Sequence, residues 1–345
     1  MQSLVHQIWY GRHWLKWLLW PLSGLFWLIS SVRRRLFALG IKPVFHAPVP
    51  VIVVGNITAG GSGKTPTVLY LIELLRTAGY TPGVISRGYG VNIQAPILVQ
   101  AHHSSAEVGD EPAMIFARTG VPMVVGPNRI AAVKVLLDNK VGVNSDSAQV
   151  DVIICDDGLQ HYALGRDIEI ALIDGDRRFG NGMLIPAGPL REGTWRLESV
   201  DFRLCNGGEP AEQEIAMSLS PSGLRPVLAD NPAVPPQAGD AVVAMAGIGN
   251  PGRFFATVTE QGFELAGTRA FDDHQAFTLA DIDSLSASLP VLMTEKDAVK
   301  CRGFAKQHWW YLAVDAKLGP DFDTQLLQKV VAAKAGKQGN THGVR

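Results

Sequence analysis

The sequence predicts an α/β fold built on a mostly parallel sheet, and three observations predict it. From Pro50 onward short apolar runs alternate with stretches of helical periodicity, the pattern of strand-helix-strand units rather than hairpins. Residues 51 to 67, VIVVGNITAGGSGKTPT, place a Gly-rich turn between a β-branched strand and a helix with apolar residues at Leu69, Leu71, Ile72 and Leu75. Residues 150 to 157 form a further apolar strand that ends on the carboxylates Asp156 and Asp157.

The expected strands are 51–55, 83–86, 122–125, 150–156 and 169–174, with helices at 63–78, 110–118 and 128–138. Five prolines between Pro221 and Pro236 read as a crossover. A second unit comes next, with strands 241–246, 290–294 and 309–314 and helices near 251–261 and 321–333. The chain therefore divides into an N-terminal membrane-associating segment (1–45), a first domain (46–220), a linker (221–240), a smaller α/β domain (241–335) and a tail expected to fray (336–345). A length of 345 residues suits two domains.

Charge and aromatic content separate the N-terminus from the rest. The first 50 residues contain six Lys or Arg, no Asp or Glu, and five of the eight tryptophans (Trp9, Trp14, Trp17, Trp20, Trp27). The remainder is net acidic, which argues against a nucleic-acid partner. Residues 17 to 32 carry no charge over 16 positions, short of the ~20 a spanning helix needs, and Pro21 and Gly24 weaken a regular helix. A secretory signal would carry its charges ahead of the apolar run, whereas Arg33, Arg34 and Arg35 come after it. A buried core helix would not concentrate Trp and cations in this way. The segment reads as an interfacial, monotopic anchor, with a tilted single span as its variant, and the triple Arg keeps the remainder of the chain on the cytoplasmic side. Cys155, Cys205 and Cys301 have neither disulfide nor zinc spacing.

The Gly-rich run has the strand, loop and helix order of a P-loop, so the first domain is expected to be P-loop NTPase-like. Residues Thr58, Ala59, Gly60, Gly61, Ser62, Gly63, Lys64 and Thr65 would cradle a nucleoside triphosphate. Backbone amides and the helix N-terminus would face the phosphates, Lys64 would reach the β/γ oxygens, and the Thr65 hydroxyl would ligate Mg²⁺. Thr58 stands where the general motif has its first glycine. Asp156 and Asp157, at a strand end on the same sheet edge, are candidates for the Mg²⁺ site. Asp110 and Glu111 open a helix, where dipole complementarity alone would account for them. His274 lies in a polar loop of the second unit. A kinase must position and deprotonate an acceptor hydroxyl, and a carboxylate backed by a histidine suits that task. Residues 247–252, GIGNPG, satisfy a dinucleotide fingerprint, but Pro251 removes a backbone donor. Residues 294–297, TEKD, resemble a guanine reader with its spacing one short, and helix capping by Thr294 explains them equally well.

With these blocks in order, the sequence resembles the tetraacyldisaccharide 4′-kinases, the lipid A 4′-kinases of bacterial outer-membrane biogenesis, from about Trp14 to Gln328. The resemblance is carried by VGNITAGGSGKTPT (54–67), SRGYG (86–90), VGDEP (108–112), PNR (127–129), DDGLQH (156–161), PAGPLRE (186–192), GIGNPGRFF (247–255), DDHQ (272–275) and TEKDAVK (294–300). It makes Thr58 a family habit and weakens the dinucleotide reading. It implies transfer of the ATP γ-phosphoryl to the 4′-hydroxyl of an acylated glucosamine disaccharide 1-phosphate, giving lipid IVA, at the cytoplasmic face of the bacterial inner membrane. It also implies two α/β/α domains with the site between them, Asp110 as base assisted by His274, and phosphate or substrate contacts from Arg87, Arg129, His161 and Arg191. The alternative is a membrane-associated P-loop switch that hydrolyses nucleotide without a lipid acceptor.

Overall fold

The computed structural model describes residues 4–138, 149–273, 275–286 and 288–341. Among them the chain runs α1 (Leu4–Tyr10), α2 (Leu15–Ala38), β1 (Val51–Gly55), α3 (Lys64–Thr77), β2 (Pro82–Ser86), β3 (Ile97–Leu98), α4 (Ser105–Val108), α5 (Asp110–Thr119), β4 (Met123–Val125), α6 (Arg129–Asp138), β5 (Val152–Asp156) and β6 (Ile168–Asp174). It continues through β7 (Phe202–Asn206), β8 (Ile215–Pro226), β9 (Ala241–Ala246), α7 (Pro251–Glu260), β10 (Glu264–Ala270), α8 (Leu279–Asp283), β11 (Val291–Thr294), α9 (Glu295–Cys301), β12 (Trp309–Lys317) and α10 (Pro320–Thr341).

Strands β7, β6, β1, β5, β2 and β4 lie side by side in parallel, with β3 antiparallel on the outer edge. Alternate residues of β1 enter opposite cores, as the two-residue period of a strand requires. Ile52 and Val54 pack with α3 and α5, whereas Val51 and Val53 pack with α6. The result is the expected three-layer α/β/α domain, with every β1 residue buried. Strands β10, β9, β11 and β12 form a second parallel set with its own two cores.

Strand β8 joins the two sets. Its start pairs in parallel with β7 (Leu204 with Ile215, Asn206 with Met217), and its remainder, from Ser218 to Pro226, pairs antiparallel with β12. The stretch beginning at Pro221, expected as a crossover, therefore opens as strand. Pro221 sits beside a register shift between Ala313 and Val314, a place where a sheet tolerates proline. Two further elements depart from expectation. Edge strand β10 is largely exposed and lacks an apolar alternation. Helix α10 continues through residues expected to fray and reaches Thr341.

At the N-terminus α2 is continuous for 24 residues across Pro21 and Gly24, about 36 Å at 1.5 Å per residue. Its length and composition are those of a helix able to cross a membrane, so the shortness of the charge-free run does not exclude a span. Its exposure pattern is inside out. Ser23 and Ser31 are buried, while Trp17, Leu18, Trp20, Leu22, Leu25, Trp27, Leu28 and Ile29 each expose more than half of their surface.

The last helix returns to the first domain: Phe322, Leu326 and Val330 belong to the same core as Ile52 and Leu71. Phe322 is 1% exposed and meets Phe202 edge to face at 5.1 Å. Phe322→Ala is expected to cost about 3–5 kcal/mol, read as a lower urea midpoint; an unchanged midpoint would mean that α10 contributes little to this core.

Candidate functional site

The turn after β1 is organised by Asn56, which is fully buried. Its amide nitrogen donates to Gly60 O (3.2 Å) and Thr58 Oγ1 (3.4 Å), and its Oδ1 accepts from Lys64 Nζ (3.3 Å). The left-handed positions of the loop are Gly60 (φ +113°) and Gly63 (φ +95°), the latter capping α3. Thr58 instead pairs with Leu190 in an antiparallel bridge, so this loop has no need of glycine there. A Cβ at Gly63 would lie 2.7 Å from Asn206 Nδ2, and that amide donates to Ser62 O at 3.2 Å. The loop amides and the open N-terminus of α3 together form an anion cradle.

Asp156 and Asp157 sit beside this cradle in different states. Asp156 is 1% exposed; Ser86 Oγ donates to its Oδ2 (3.1 Å), while its Oδ1 is buried without a protein hydrogen-bond partner. Burial, followed by repulsion from Glu111 and Asp157, pushes its carboxyl up to about 7, against the pull of Lys64 and Ser86. Asp157 takes a left-handed backbone (φ +48°) and is half-buried. Both of its oxygens accept from Arg191 Nη1 at 2.9 Å, and Lys64 Nζ lies 3.8 Å away. Burial alone would raise its pKa, but Lys64 and Arg191 outweigh that and hold it below the usual value. An oxygen donor with no protein partner, next to a hydroxyl and a phosphate cradle, fits a hard divalent cation that takes its other ligands from phosphate and water. Among the described residues no cluster of three His, Cys, Asp or Glu gathers to hold a metal unaided.

The P-loop faces a cleft whose opposite wall belongs to the second domain. Gly61, Gly63, Thr65 and Glu111 line one side, and Gly249, Asn250, Arg253 and Lys296 line the other. Asp110 opens α5 at the domain boundary, with Lys300 Nζ of α9 3.6 Å from its Oδ2. Lys300 in turn meets Asp297 Oδ1 at 3.1 Å. The buried Asp297 accepts from Gly247 N (2.9 Å) and Thr294 Oγ1 (2.7 Å), which explains GIGNPG and TEKD together as a brace inside the second domain. Thr294 also caps α9 by accepting from Asp297 N, the capping role anticipated for it.

Of the other candidates, Arg129 is 3% exposed and donates to Gly126 O and Asp156 O, clamping α6 to the end of β5. Arg87 is exposed, and His161 is half-buried with a buried Nε2 that has no protein partner. His274 lies outside the described residues. Sequence reasoning missed Asn56, although its place directly after the strand was visible in the VGNIT block. It also missed Asn206, Asp297 and Lys300, whose partners are all distant in sequence or in short elements.

Burial, then the positive charge of Arg129 and Arg166, lowers the His161 pKa to about 4. Because the unfolded value of 6.5 is higher, protons bind preferentially to the unfolded chain in this window. The contribution of His161 to stability is thus fully present above pH 6.5 and falls as pH drops toward about 4. A ¹⁵N NMR titration should find this imidazole neutral at pH 6; a midpoint at the ordinary histidine value would contradict the assignment.

The family model for tetraacyldisaccharide-1-P 4′-kinase matches residues 15–331. The tetraacyldisaccharide 4′-kinases of Shewanella amazonensis and of Shewanella sp. strain MR-7 are similar over their whole lengths, at 59% identity over 359 residues and 61% over 346, with 100% of each chain covered. A crystal structure described as the "apo" form of LpxK from Aquifex aeolicus in complex with ATP has a TM-score of 0.76 at 27% identity, covering 93% of this chain and 99% of that one. With its two-part α/β architecture, P-loop cleft and end-to-end similarity, the chain belongs to the tetraacyldisaccharide-1-P 4′-kinase family.

Proposed function

We propose that the chain transfers the γ-phosphoryl of ATP to the 4′-hydroxyl of tetraacyldisaccharide 1-phosphate, giving lipid IVA. The observation that carries this reading is the cleft, in which a P-loop faces polar loops of the other domain, with a buried, incompletely partnered carboxylate beside the loop. ATP would lie in the cradle of residues 58–65. Thr65 and Asp156 would hold Mg²⁺, which when bound would neutralise charge on the transferring phosphoryl. Asp157 would keep Lys64 and Arg191 oriented toward the phosphates.

In the transfer the 4′-oxygen bonds to the γ-phosphorus, the bond to the β-phosphate oxygen breaks, and ADP leaves. Asp110 accepts the hydroxyl proton, assisted by His274. Lys300 Nζ lies 3.6 Å from Asp110 Oδ2 and would hold that carboxylate in place. Arg87, exposed near His161, is the candidate contact for the substrate's 1-phosphate. Because the two walls belong to different domains, their approach would complete the site. The outward tryptophans and leucines of α2, followed by Arg33 to Arg35, would seat the protein on the cytoplasmic face of the inner membrane, bringing the cleft to a lipid substrate.

ADP release that depends on added disaccharide 1-phosphate is the expected result in a purified assay; acceptor-independent release would favour a nucleotide switch instead. Asp110→Ala should lower kcat by about 10²–10⁴-fold with ATP affinity nearly kept, and unchanged turnover would remove Asp110 from the mechanism. Lys64→Ala should lower turnover by about 10²–10³-fold, as for loss of one preorganised group at the developing charge, and should weaken nucleotide binding as well. The triple variant W17S/W20S/W27S should fail to float with anionic liposomes while retaining activity in detergent; undiminished flotation would refute the anchoring role of this face.

A further inference from the structure

The structure assigns Ser23 of α2 as a positioning residue that ties the lipid-facing helix to the nucleotide loop. This rests on reading residues 58–65 as the ATP site. Ser23 is 5% exposed on a helix otherwise turned outward. A serine inside a helix commonly bonds back to its own preceding turn. The Ser23 hydroxyl instead donates to Leu184 O (2.7 Å) and accepts from Ala187 N (3.0 Å), more than 160 positions away.

The loop it grips is stiffened by its own backbone bonds. Gly188 N donates to Leu184 O at 2.9 Å, Ile185 N to Leu190 O at 2.9 Å, and Leu190 N to Met183 O at 3.1 Å. Its far end forms a wall of the P-loop: Pro189 O accepts from Ala59 N at 2.7 Å, and Arg191 N donates to Ile57 O at 2.7 Å. The register of the amides that would wrap the phosphates is therefore set by a loop whose other end is fastened to α2. A second fastening runs through α1, where Trp9 Nε1 donates to Pro186 O at 3.0 Å. Ala187 is fully buried, so loss of the Ser23 hydroxyl leaves its amide without that acceptor. Linkage makes the effect reciprocal: seating of α2 tightens nucleotide binding, and nucleotide tightens the seating of α2.

The test uses the full chain in detergent micelles, with binding of a non-hydrolysable ATP analogue and Mg²⁺ measured by titration calorimetry. Ser23→Ala should weaken analogue binding by about five- to twentyfold, within the usual range of coupling between sites, while near-ultraviolet circular dichroism stays native. Ser31→Ala, at the other buried serine of α2, should leave affinity unchanged. Wild-type affinity in Ser23→Ala, or an equal loss in Ser31→Ala, would overturn the inference. Hydrogen exchange on the unsubstituted protein keeps it testable if Ser23→Ala does not fold. The analogue should slow exchange at residues 20–26 and 184–190 as well as at 59–65. Protection confined to 59–65 would overturn the coupling alone, whereas no protection at 59–65 would overturn the ATP-site reading on which it rests.

Discussion

The arrangement of the site depends on one buried cation. Lys64 is 9% exposed, and an ammonium withdrawn from water costs several kcal/mol unless partners surround it. Asn56 meets it from the turn directly after β1, and Asp157 meets it from just beyond the end of the neighbouring strand β5. Asp157 is in turn engaged by Arg191 from the segment that walls the P-loop. Strands β1 and β5 are adjacent and parallel, so these groups emerge at the same sheet edge. With Asp157 engaged in this way, Asp156 keeps a buried oxygen that no protein group satisfies. The two neighbouring acids thus differ in chemistry because their partners differ.

A second constraint is that one strand belongs to both sheets. β8 continues the first sheet in parallel and then carries β12 on its antiparallel side, so the two halves of the cleft are connected through continuous backbone pairing. Helix α10 adds a return contact by burying Phe322 and Leu326 in the first domain. Between these tethers the walls meet through polar pairs, including Lys300 with Asp110 and Arg118 with Glu295, and through Val299 of α9, which is buried in the first domain's core.

The N-terminal helix reverses the usual logic of an amphipathic surface helix, which hides its apolar stripe. Here small polar residues face the protein and large apolar ones face outward. The inner face makes hydrogen bonds at Ser23, and Arg34 lies 3.7 Å from the Trp195 ring centroid. Such contacts hold the helix in place without competing for the surface a bilayer would cover. The loop from Met183 to Arg191 lies between this helix and the P-loop, which places the outward apolar face of α2 and the P-loop one loop apart.

Much of this was legible in the sequence where local pattern and tertiary role coincide. Strand β1 has the bounds its sequence predicts because a strand buried on both faces is apolar throughout. Lys64, Thr65 and the acid pair stand out in the sequence because the chemistry of phosphate binding demands particular residues at particular strand ends, and the structure brings Lys64 within 3.8 Å of Asp157. Strands β8 and β10 were not legible: one is rich in Pro, Ser and Gly and is held by pairing across two sheets, and the other is an exposed edge. Asn56 and Asp297 were missed because a polar residue is marked as an organiser only by being buried among its partners. The sequence by itself determined the fold class, the P-loop and the apolar, Trp-rich composition of the N-terminal helix, since these rest on periodicity and residue chemistry. Tertiary structure alone decided which acid keeps an unsatisfied oxygen, which face of α2 turns outward and what Ser23 grips, because each depends on groups brought together from distant parts of the chain.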